Sequence, residues 1–131
     1  MRALLYCLIL VFTFSCTGSR LSTGPAEVRN ITPTEYTARH GKDKKAVLVD
    51  VRTPAEFEAG HLEQAQNTNF LDGTFEHEIK SWDKNKTYYL YCASGNRSGK
   101  AAKLMQEAGF KKIYNLGGYK DLKEAGLPVK E

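Results

Sequence analysis

The chain has 131 residues, of which 41% are hydrophobic and 26% charged, and its formal net charge is +4. This length fits one modest domain, and the composition is typical of an ordered globular protein rather than a disordered one. The basic residues are scattered and form no run as long as a nucleic-acid-binding patch, so we expect no nucleic-acid partner. The mildly positive charge favours small anionic molecules instead.

The N-terminal 16 residues are predicted to be an export signal rather than part of the fold. Arg2 precedes an uncharged apolar run, residues 3–14, which has no polar face and the size of a secretory signal peptide. The run ends in Thr13-Phe14-Ser15-Cys16, which resembles the signal of bacterial lipoproteins, in which the cysteine after a small residue is lipidated. We therefore expect a lipid on Cys16 and a periplasm-facing domain in the cell envelope. The alternatives are simple cleavage with release, and a short membrane anchor.

The segment that follows the signal, residues 17–26, has the small, polar composition of a flexible linker, so the folded domain is predicted to span residues 27–131. Of the three cysteines, Cys7 is lost with the predicted signal and Cys16 is acylated, which leaves Cys92 as the only free thiol. In an oxidising compartment, a solitary thiol is a liability unless it is buried or has a role. The cysteine pattern therefore favours a function for Cys92.

Predicted strands and helices alternate along the domain. Apolar and β-branched runs predict strands over residues 27–31, 46–51, 65–70, 87–91 and 113–116. Cap signatures, such as Thr53-Pro54-Ala55-Glu56, and apolar periodicity predict helices over residues 33–41, 54–60, 75–81, 98–108 and 119–125. Gly117-Gly118 is predicted to be a tight turn before the last helix. The alternation predicts an α/β fold, an open and mostly parallel sheet with helices on both faces.

The predicted strand at residues 87–91 leads into the segment richest in chemistry, Cys92-Ala93-Ser94-Gly95-Asn96-Arg97-Ser98. A cysteine at the carboxyl end of a strand, just before a helix, lies where backbone N–H groups and the positive end of a helix dipole converge. Such surroundings lower the pKa of a thiol from about 8.5 toward neutrality and produce a nucleophilic thiolate. The competing interpretation is a small core residue.

This loop resembles the active-site loop of the rhodanese family, the sulfurtransferases. The similarity covers residues 31–129 and includes the motifs Asp50-Val51-Arg52, Glu56-Phe57-x-x-Gly60-His61-Leu62, Ala108-Gly109-Phe110 and Ile113-x-Asn115-Leu116-Gly117-Gly118. The resemblance implies a rhodanese-like fold and an enzyme. Its Cys92 would take a sulfane sulfur from thiosulfate or a persulfide and pass it to a thiol or cyanide acceptor.

Roles for the residues around Cys92 follow from the loop and from the resemblance. The persulfide is expected to bind the backbone N–H groups of Ala93, Ser94, Gly95, Asn96, Arg97 and Ser98. Ser98 is predicted to be the N-cap of the next helix, with its hydroxyl toward the sulfur. Arg97 either meets an anionic donor or pairs with a carboxylate. By resemblance, Asp50 supports the loop by accepting hydrogen bonds, and Arg52 ties its strand to the neighbouring helix.

No metal or other cofactor is expected, because the chain has no C-x-x-C, no H-E-x-x-H and no glycine-rich phosphate loop after a strand. The loop departs from many thiosulfate-using relatives, which carry Arg, Lys or Gln where this chain has Ala93 and Ser94. Arg97 is therefore the only charged side chain of the loop, and a persulfide is as good a candidate donor as thiosulfate.

Two other functions remain open at this stage. Cysteine phosphatases and arsenate reductases place five residues between cysteine and arginine, whereas only four separate Cys92 from Arg97. The shorter loop suits a single sulfur better than a phosphoryl group. The other alternative is a non-enzymatic rhodanese fold used for binding or sulfide sensing, although such domains usually lack the cysteine. The sequence does not identify a protein partner.

Overall fold

The structure, a computed structural model, describes residues 26–40 and 42–131. The predicted signal peptide with Cys16, and all of the predicted linker except Ala26, lie outside the described residues. Within the described residues, no helix has both the length and the apolar character needed to span a membrane.

Seven strands and five α-helices follow one another in the described part of the chain. The strands are β1 (Val28–Asn30), β2 (Val47–Asp50), β3 (His61–Leu62), β4 (Gln66–Asn67), β5 (Thr87–Cys92), β6 (Lys112–Gly118) and β7 (Val129–Lys130). The helices are α1 (Pro33–His40), α2 (Pro54–Glu58), α3 (Thr74–Glu78), α4 (Asn96–Glu107) and α5 (Tyr119–Glu124), and a 3-10 helix, Ile79–Ser81, extends α3. The structure therefore contains every predicted strand and helix, with small changes in their bounds.

Five strands form one parallel sheet in the order β1-β6-β5-β2-β4, and β3 pairs with β7 in a separate antiparallel ribbon. The predicted α/β fold with a mostly parallel sheet is confirmed. Because all five strands of the main sheet run in one direction, their carboxyl ends lie along one edge. That edge brings together the ends of β2, β5 and β6, which lie far apart in the sequence.

Both faces of the sheet are covered, and β5 lies at its centre. Tyr88, Leu90 and Cys92 belong to the apolar cluster formed with α3, the 3-10 helix and α4. Tyr89 and Tyr91 belong to the opposite cluster, formed with α1 and α5. Every residue of β5 is buried, which explains why its sequence is apolar throughout instead of alternating.

Two local predictions were wrong, and one strand pairing was not predicted. The strand predicted over residues 65–70 is only Gln66–Asn67, although the Thr68 N–H still donates to the carbonyl oxygen of Asp50, at the end of β2, and the Phe70 N–H donates to that of Val51, just after it. Gly117 and Gly118 do not form a tight turn but extend β6, where a register shift places them opposite Tyr91 and Cys92. The pairing of β7 with β3 was not predicted, because two residues carry no periodicity and their partner lies about seventy residues upstream.

Candidate active site

Cys92 ends β5 at the carboxyl edge of the sheet, and its side chain points under the first turn of α4. Cys92 has no solvent-exposed area. The sulfur accepts a hydrogen bond from the backbone N–H of Gly95 at 3.0 Å and lies 3.5 Å from the hydroxyl of Ser98. Gly95 adopts a φ of +91°, in the left-handed region where glycine is unstrained, and this turns its N–H back toward the sulfur. The thiol is therefore buried among apolar groups on one side and held by polar groups on the other.

Two opposing effects act on the pKa of Cys92. Burial raises the pKa, because an anion is poorly solvated away from water. Hydrogen bonds from the Ser98 hydroxyl and from the backbone N–H groups of Ser98, Ser94 and Gly95 lower it, and together they outweigh the burial. The pKa of Cys92 thus lies below the ordinary thiol value, as expected for a sulfur that works as a nucleophile. Three of the six predicted backbone donors act on the sulfur in this way.

The loop after Cys92 packs directly on the end of β6. A Cβ atom at Gly118 would lie 2.6 Å from the carbonyl oxygen of Ala93, and one at Gly95 would lie 3.1 Å from the Cα of Gly117. The sheet edge and the loop approach so closely that only glycine fits at both positions. The glycine pair thus continues β6 beside the cysteine loop and leaves room for the loop backbone.

Ser98 is not the N-cap of α4, so that prediction was wrong. The helix begins at Asn96, and Gly95, which has no side chain to cap the helix, holds the N-cap position. The left-handed turn at Gly95 starts the helix early and carries Ser98 into the first turn, where it is fully buried. There its hydroxyl does face the sulfur, and it also donates a hydrogen bond to Oδ1 of Asn115 at 2.7 Å.

Arg97 forms an ion pair with a carboxylate, which was one of the two open alternatives for this residue. Its two terminal nitrogens donate to the two oxygens of Glu56, both at 2.8 Å. The hydrogen bonds from Arg97 hold the pKa of Glu56 down, at about 2, even though burial acts in the opposite direction. The pair joins the first turn of α4 to the first turn of α2 and so fixes the outer side of the loop.

Glu56 was not predicted as a site residue. It belongs to the predicted capping pattern Thr53-Pro54-Ala55-Glu56, and in the structure its carboxylate accepts from the backbone N–H and the hydroxyl of Thr53. The signal that could have revealed its second contact is its place in the motif that accompanies the cysteine loop. A capping residue on one helix that also binds the loop arginine cannot be recognised from local spacing alone.

Asp50 and Arg52 form a second ion pair, completely within the protein, at the end of β2. Nε and Nη2 of Arg52 donate to both carboxylate oxygens of Asp50 at 2.7–3.0 Å, and the Arg52 backbone N–H donates to one of them. Nη2 also donates to the carbonyl oxygen of Gly60, just after α2, at 2.7 Å. Asp50 therefore accepts hydrogen bonds from Arg52, and Arg52 links the end of β2 to the residue that follows the α2 cap. That the two residues support the cysteine loop stays a prediction.

Asn115 is the other residue that the sequence analysis missed. Its side chain lies at the centre of the loop: Oδ1 accepts from Ser98 and from the Gly117 N–H, and Nδ2 donates to the carbonyl oxygen of Gly95 at 3.3 Å. It occurs in the quoted motif of β6, but its role depends on the parallel pairing of β6 with β5. Only the folded sheet brings it into contact with the loop that follows Cys92.

The fold and this site define a class of protein: an α/β domain in which a thiol at the end of the central strand is held by the start of the next helix. The chain matches the rhodanese-like domain family over residues 32–125, and it belongs to that family.

Two curated relatives illustrate the range of the match. The chain is 39% identical over 95 residues to the uncharacterized protein YqhL of Bacillus subtilis, which covers 71% of each chain. It is 32% identical over 117 residues to the tRNA uridine(34) hydroxylase of Sodalis glossinidius, covering 81% of this chain and 33% of the hydroxylase. The chain thus spans about a third of the length of that second relative.

Solved structures share the fold. A rhodanese-related protein of Thermoplasma volcanium is 26% identical with a TM-score of 0.67, and the match covers 78% of this chain and 97% of that one. A rhodanese-like domain protein of Staphylococcus aureus is 29% identical with a TM-score of 0.65, covering 79% and 99%. A rhodanese of E. coli with anions is 30% identical with a TM-score of 0.58, covering 66% and 98%.

Proposed function

We propose that this domain is a sulfurtransferase that moves a sulfane sulfur from thiosulfate or a persulfide to a thiol or cyanide acceptor through a persulfide on Cys92. The observation that carries the proposal is the hydrogen bond from the Gly95 N–H to the Cys92 sulfur at the start of α4. A sulfur held by backbone dipoles is stabilised as an anion, both as the attacking thiolate and as the persulfide product.

The chemistry consists of two displacements. The Cys92 thiolate attacks the outer sulfur of thiosulfate, a new S–S bond forms, and the old S–S bond breaks with its electron pair leaving on sulfite. The enzyme then carries Cys92–S–S⁻. Cyanide or a thiolate attacks the terminal sulfur, the S–S bond breaks, and thiocyanate or a new persulfide leaves while the Cys92 thiolate returns. Each step conserves charge and needs no external oxidant, so ping-pong kinetics are expected.

The charges around the loop favour a persulfide donor over thiosulfate. Arg97 is the only cationic side chain within residues 92–98, and its charge is neutralised by Glu56. A divalent anion therefore meets no unpaired cation in this loop. Backbone N–H groups suit the smaller charge of a persulfide sulfur, which is carried by one atom. Because Cys92 has no exposed area, its attack also requires the exposed residues Ala93 and Ser94 to move outward and admit the donor.

Intact-mass measurement tests the proposal. The protein is incubated in parallel with thiosulfate, glutathione persulfide and inorganic polysulfide, and the mass is recorded before and after addition of cyanide. We expect a gain of one sulfur atom, located by fragmentation on the peptide that contains Cys92 and removed by cyanide. Cys92→Ser is the matched control, since it keeps the size and polarity of the side chain. No adduct from any donor would leave the binding or sensing domain as the better account.

The same experiment addresses the phosphatase alternative when aryl-phosphate hydrolysis is assayed beside it. In the structure, both terminal nitrogens of the Arg97 guanidinium donate to Glu56, so the charge that a phosphoryl group would need from Arg97 is already paired. We expect sulfur transfer without measurable hydrolysis of the phosphate ester. Hydrolysis that disappears in Cys92→Ser, without a persulfide, would favour the phosphatase.

We further propose that the domain is exported and anchored in the cell envelope by a lipid on Cys16, with its site facing the periplasm. The support is the sequence pattern of residues 1–16 followed by a small, polar linker. Incorporation of labelled palmitate into the full chain in a bacterial host tests this, with Cys16→Ser as the control. Release of an unlabelled, shortened protein into the soluble fraction would indicate simple cleavage instead.

A further inference from the structure

The Ser98 hydroxyl has one proton and two acceptors within reach. Oδ1 of Asn115 lies 2.7 Å from the hydroxyl oxygen, an ideal distance, whereas the Cys92 sulfur lies at 3.5 Å. When the hydroxyl proton points to Asn115, the lone pairs of the hydroxyl oxygen face the sulfur. The S–H group of a protonated Cys92 can then donate to that oxygen. An anionic sulfur needs the opposite arrangement, in which the hydroxyl donates to it.

The Asn115 carboxamide is fixed in one orientation. Nδ2 donates to the Gly95 carbonyl oxygen at 3.3 Å and to Oδ1 of Asn30 at 3.1 Å. A flipped amide would place its oxygen against the Gly95 carbonyl oxygen and its NH2 group against the Gly117 N–H, two backbone groups of fixed polarity, so the acceptor must point toward Ser98. Oδ1 also accepts the Gly117 N–H at 3.2 Å. When the Ser98 proton turns away, Oδ1 therefore keeps a donor, and the change leaves no buried acceptor unsatisfied.

The charged side chains around the loop do not control whether the sulfur is a thiol or an anion. Arg97 on α4 is paired with Glu56 on α2, and Arg52 is paired with Asp50, the last residue of β2. Each pair is neutral as a unit. The balance between thiol and anion at the sulfur therefore depends on hydrogen bonds, of which the Ser98 bond is the one whose proton has an alternative acceptor.

We propose that Asn115 is a positioning residue for sulfur transfer: its amide oxygen holds the Ser98 proton while Cys92 is a thiol and yields it to the sulfur when the sulfur is anionic. The role in transfer rests on the proposed function, but the proton switch itself is a property of the site without any donor. The switch makes the thiolate and the persulfide stable without a general base beside the sulfur, and the proton of the thiol leaves to solvent.

The pKa of Cys92 tests the switch, measured from the pH dependence of iodoacetamide alkylation at the Cys92 peptide of the folded full chain. Ser98→Ala removes the switching donor, and we expect the pKa of Cys92 to rise by about 1. Asn115→Asp keeps the size of the side chain but binds the hydroxyl proton more strongly. In this variant, too, we expect the pKa of Cys92 to rise. Asn85→Asp, which adds the same charge before β5 at the opposite end of the sheet, is the matched control and leaves the pKa unchanged.

The double variant Ser98→Ala/Asn115→Asp decides between a switch and a merely structural asparagine. If Asn115 acts through the Ser98 proton, Asn115→Asp raises the pKa of Cys92 clearly less in the Ser98→Ala background than in the wild type. Without the Ser98 hydroxyl, only the added charge acts on the sulfur. An equal rise in both backgrounds would overturn the proposal. Circular dichroism and thermal melting establish that each variant is folded before its pKa is measured.

A measurement on the unmodified protein covers the case in which the Asn115 variant does not fold. In an NMR titration, the Gly117 backbone N–H is expected to shift with the Cys92 pKa, because it becomes the main donor to Oδ1 once Ser98 turns away. Ser98→Ala should abolish most of that shift, and a Gly117 signal that ignores Cys92 ionisation would contradict the switch. Sulfur loading is scored separately: an intact switch without any persulfide refutes the proposed function and not the switch.

Discussion

Two arginine–carboxylate pairs flank the cysteine loop, and they differ mainly in their contact with water. The Asp50–Arg52 pair at the end of β2 is 0% and 6% exposed, whereas the Glu56–Arg97 pair between α2 and α4 is 36% and 20% exposed. Both are bidentate, with distances of 2.7–3.0 Å. Nearly the same kind of ion pair thus occurs once inside the protein and once near its surface.

Burial decides what breaking each ion pair costs. A buried pair contributes little relative to apolar residues, but breaking it is costly because one charge is left without water or a partner. A partly exposed pair can open at small cost, because water solvates both groups. We infer that Asp50–Arg52 makes the strand end rigid, and that Glu56–Arg97 is the contact that opens when the loop admits a donor.

The largest effect is expected for Asp50→Asn. The variant leaves Arg52 buried with its charge uncompensated, and we expect it to lower the free energy of unfolding by about 3–5 kcal/mol. Urea denaturation, followed by circular dichroism, measures the change. The double variant Asp50→Asn/Arg52→Met should recover most of the loss, since it removes the stranded charge. A single-variant loss below about 1 kcal/mol would break the comparison by showing that the inner pair is solvated.

Glu56→Gln is expected to cost much less, about 0.5–1 kcal/mol, because the exposed pair is partly solvated and glutamine preserves the helix cap. The same change releases Arg97, and we expect thiosulfate to load sulfur faster relative to glutathione persulfide. Parallel urea and mass measurements check both effects. Exposed Glu58→Gln, on the same helix, is the matched control for the lost charge. A donor preference that does not change would show that Arg97 has no influence on the donor.

Acid should weaken the outer pair in a defined range. The folded pKa of Glu56 is about 2, below the ordinary value of 4.5, so its contribution to stability is complete above pH 4.5. As the pH falls from 4.5 toward 2, the unfolded chain takes up the proton first and the contribution is lost. The stability difference between wild type and Glu56→Gln should therefore shrink across this range. Urea midpoints at a series of pH values measure it, and a constant difference would contradict the assignment.

Salt gives the smallest effect and separates the two pairs most directly. At 1 M ionic strength the screening length is about 3 Å, which weakens exposed charge pairs and leaves buried ones nearly unchanged. The cost of Glu56→Gln should fall by a few tenths of a kcal/mol in 1 M NaCl. The cost of Asp50→Asn should stay the same within error. Equal salt sensitivity would remove the distinction between the two sites.

Much of the fold follows from local sequence patterns. The apolar run before Asp50 and the run before Cys92 predict buried parallel strands, and both are present. The cap predicted at Thr53 is also observed, as a complete capping box. These features depend on neighbours within a few residues, which is why periodicity and cap chemistry reveal them. The two-residue strand β7 escaped prediction because its pairing is long-range and its sequence is too short to show a pattern.

The site was only partly predictable for the same physical reason. Position and neighbours along the chain single out the Cys92 loop, since a thiol between a strand and a helix is recognisable locally. The capping of α4 depends on the left-handed turn at Gly95, which replaces Ser98 at the helix start. The roles of Glu56 and Asn115 arise from contacts 41 and 17 residues away along the chain. No spacing rule reports contacts of that range.

Local patterns were enough to predict most of the strands and helices and the candidate nucleophile, because these depend on side chains placed along a regular backbone. What surrounds the Cys92 sulfur became visible only once the chain was folded. Because α2, α4 and β6 meet at one edge of the sheet, Arg97 finds a carboxylate partner and Ser98 finds a second acceptor. The two glycines of β6 also pack against the loop there. Such contacts belong to packed surfaces rather than to any one segment of chain.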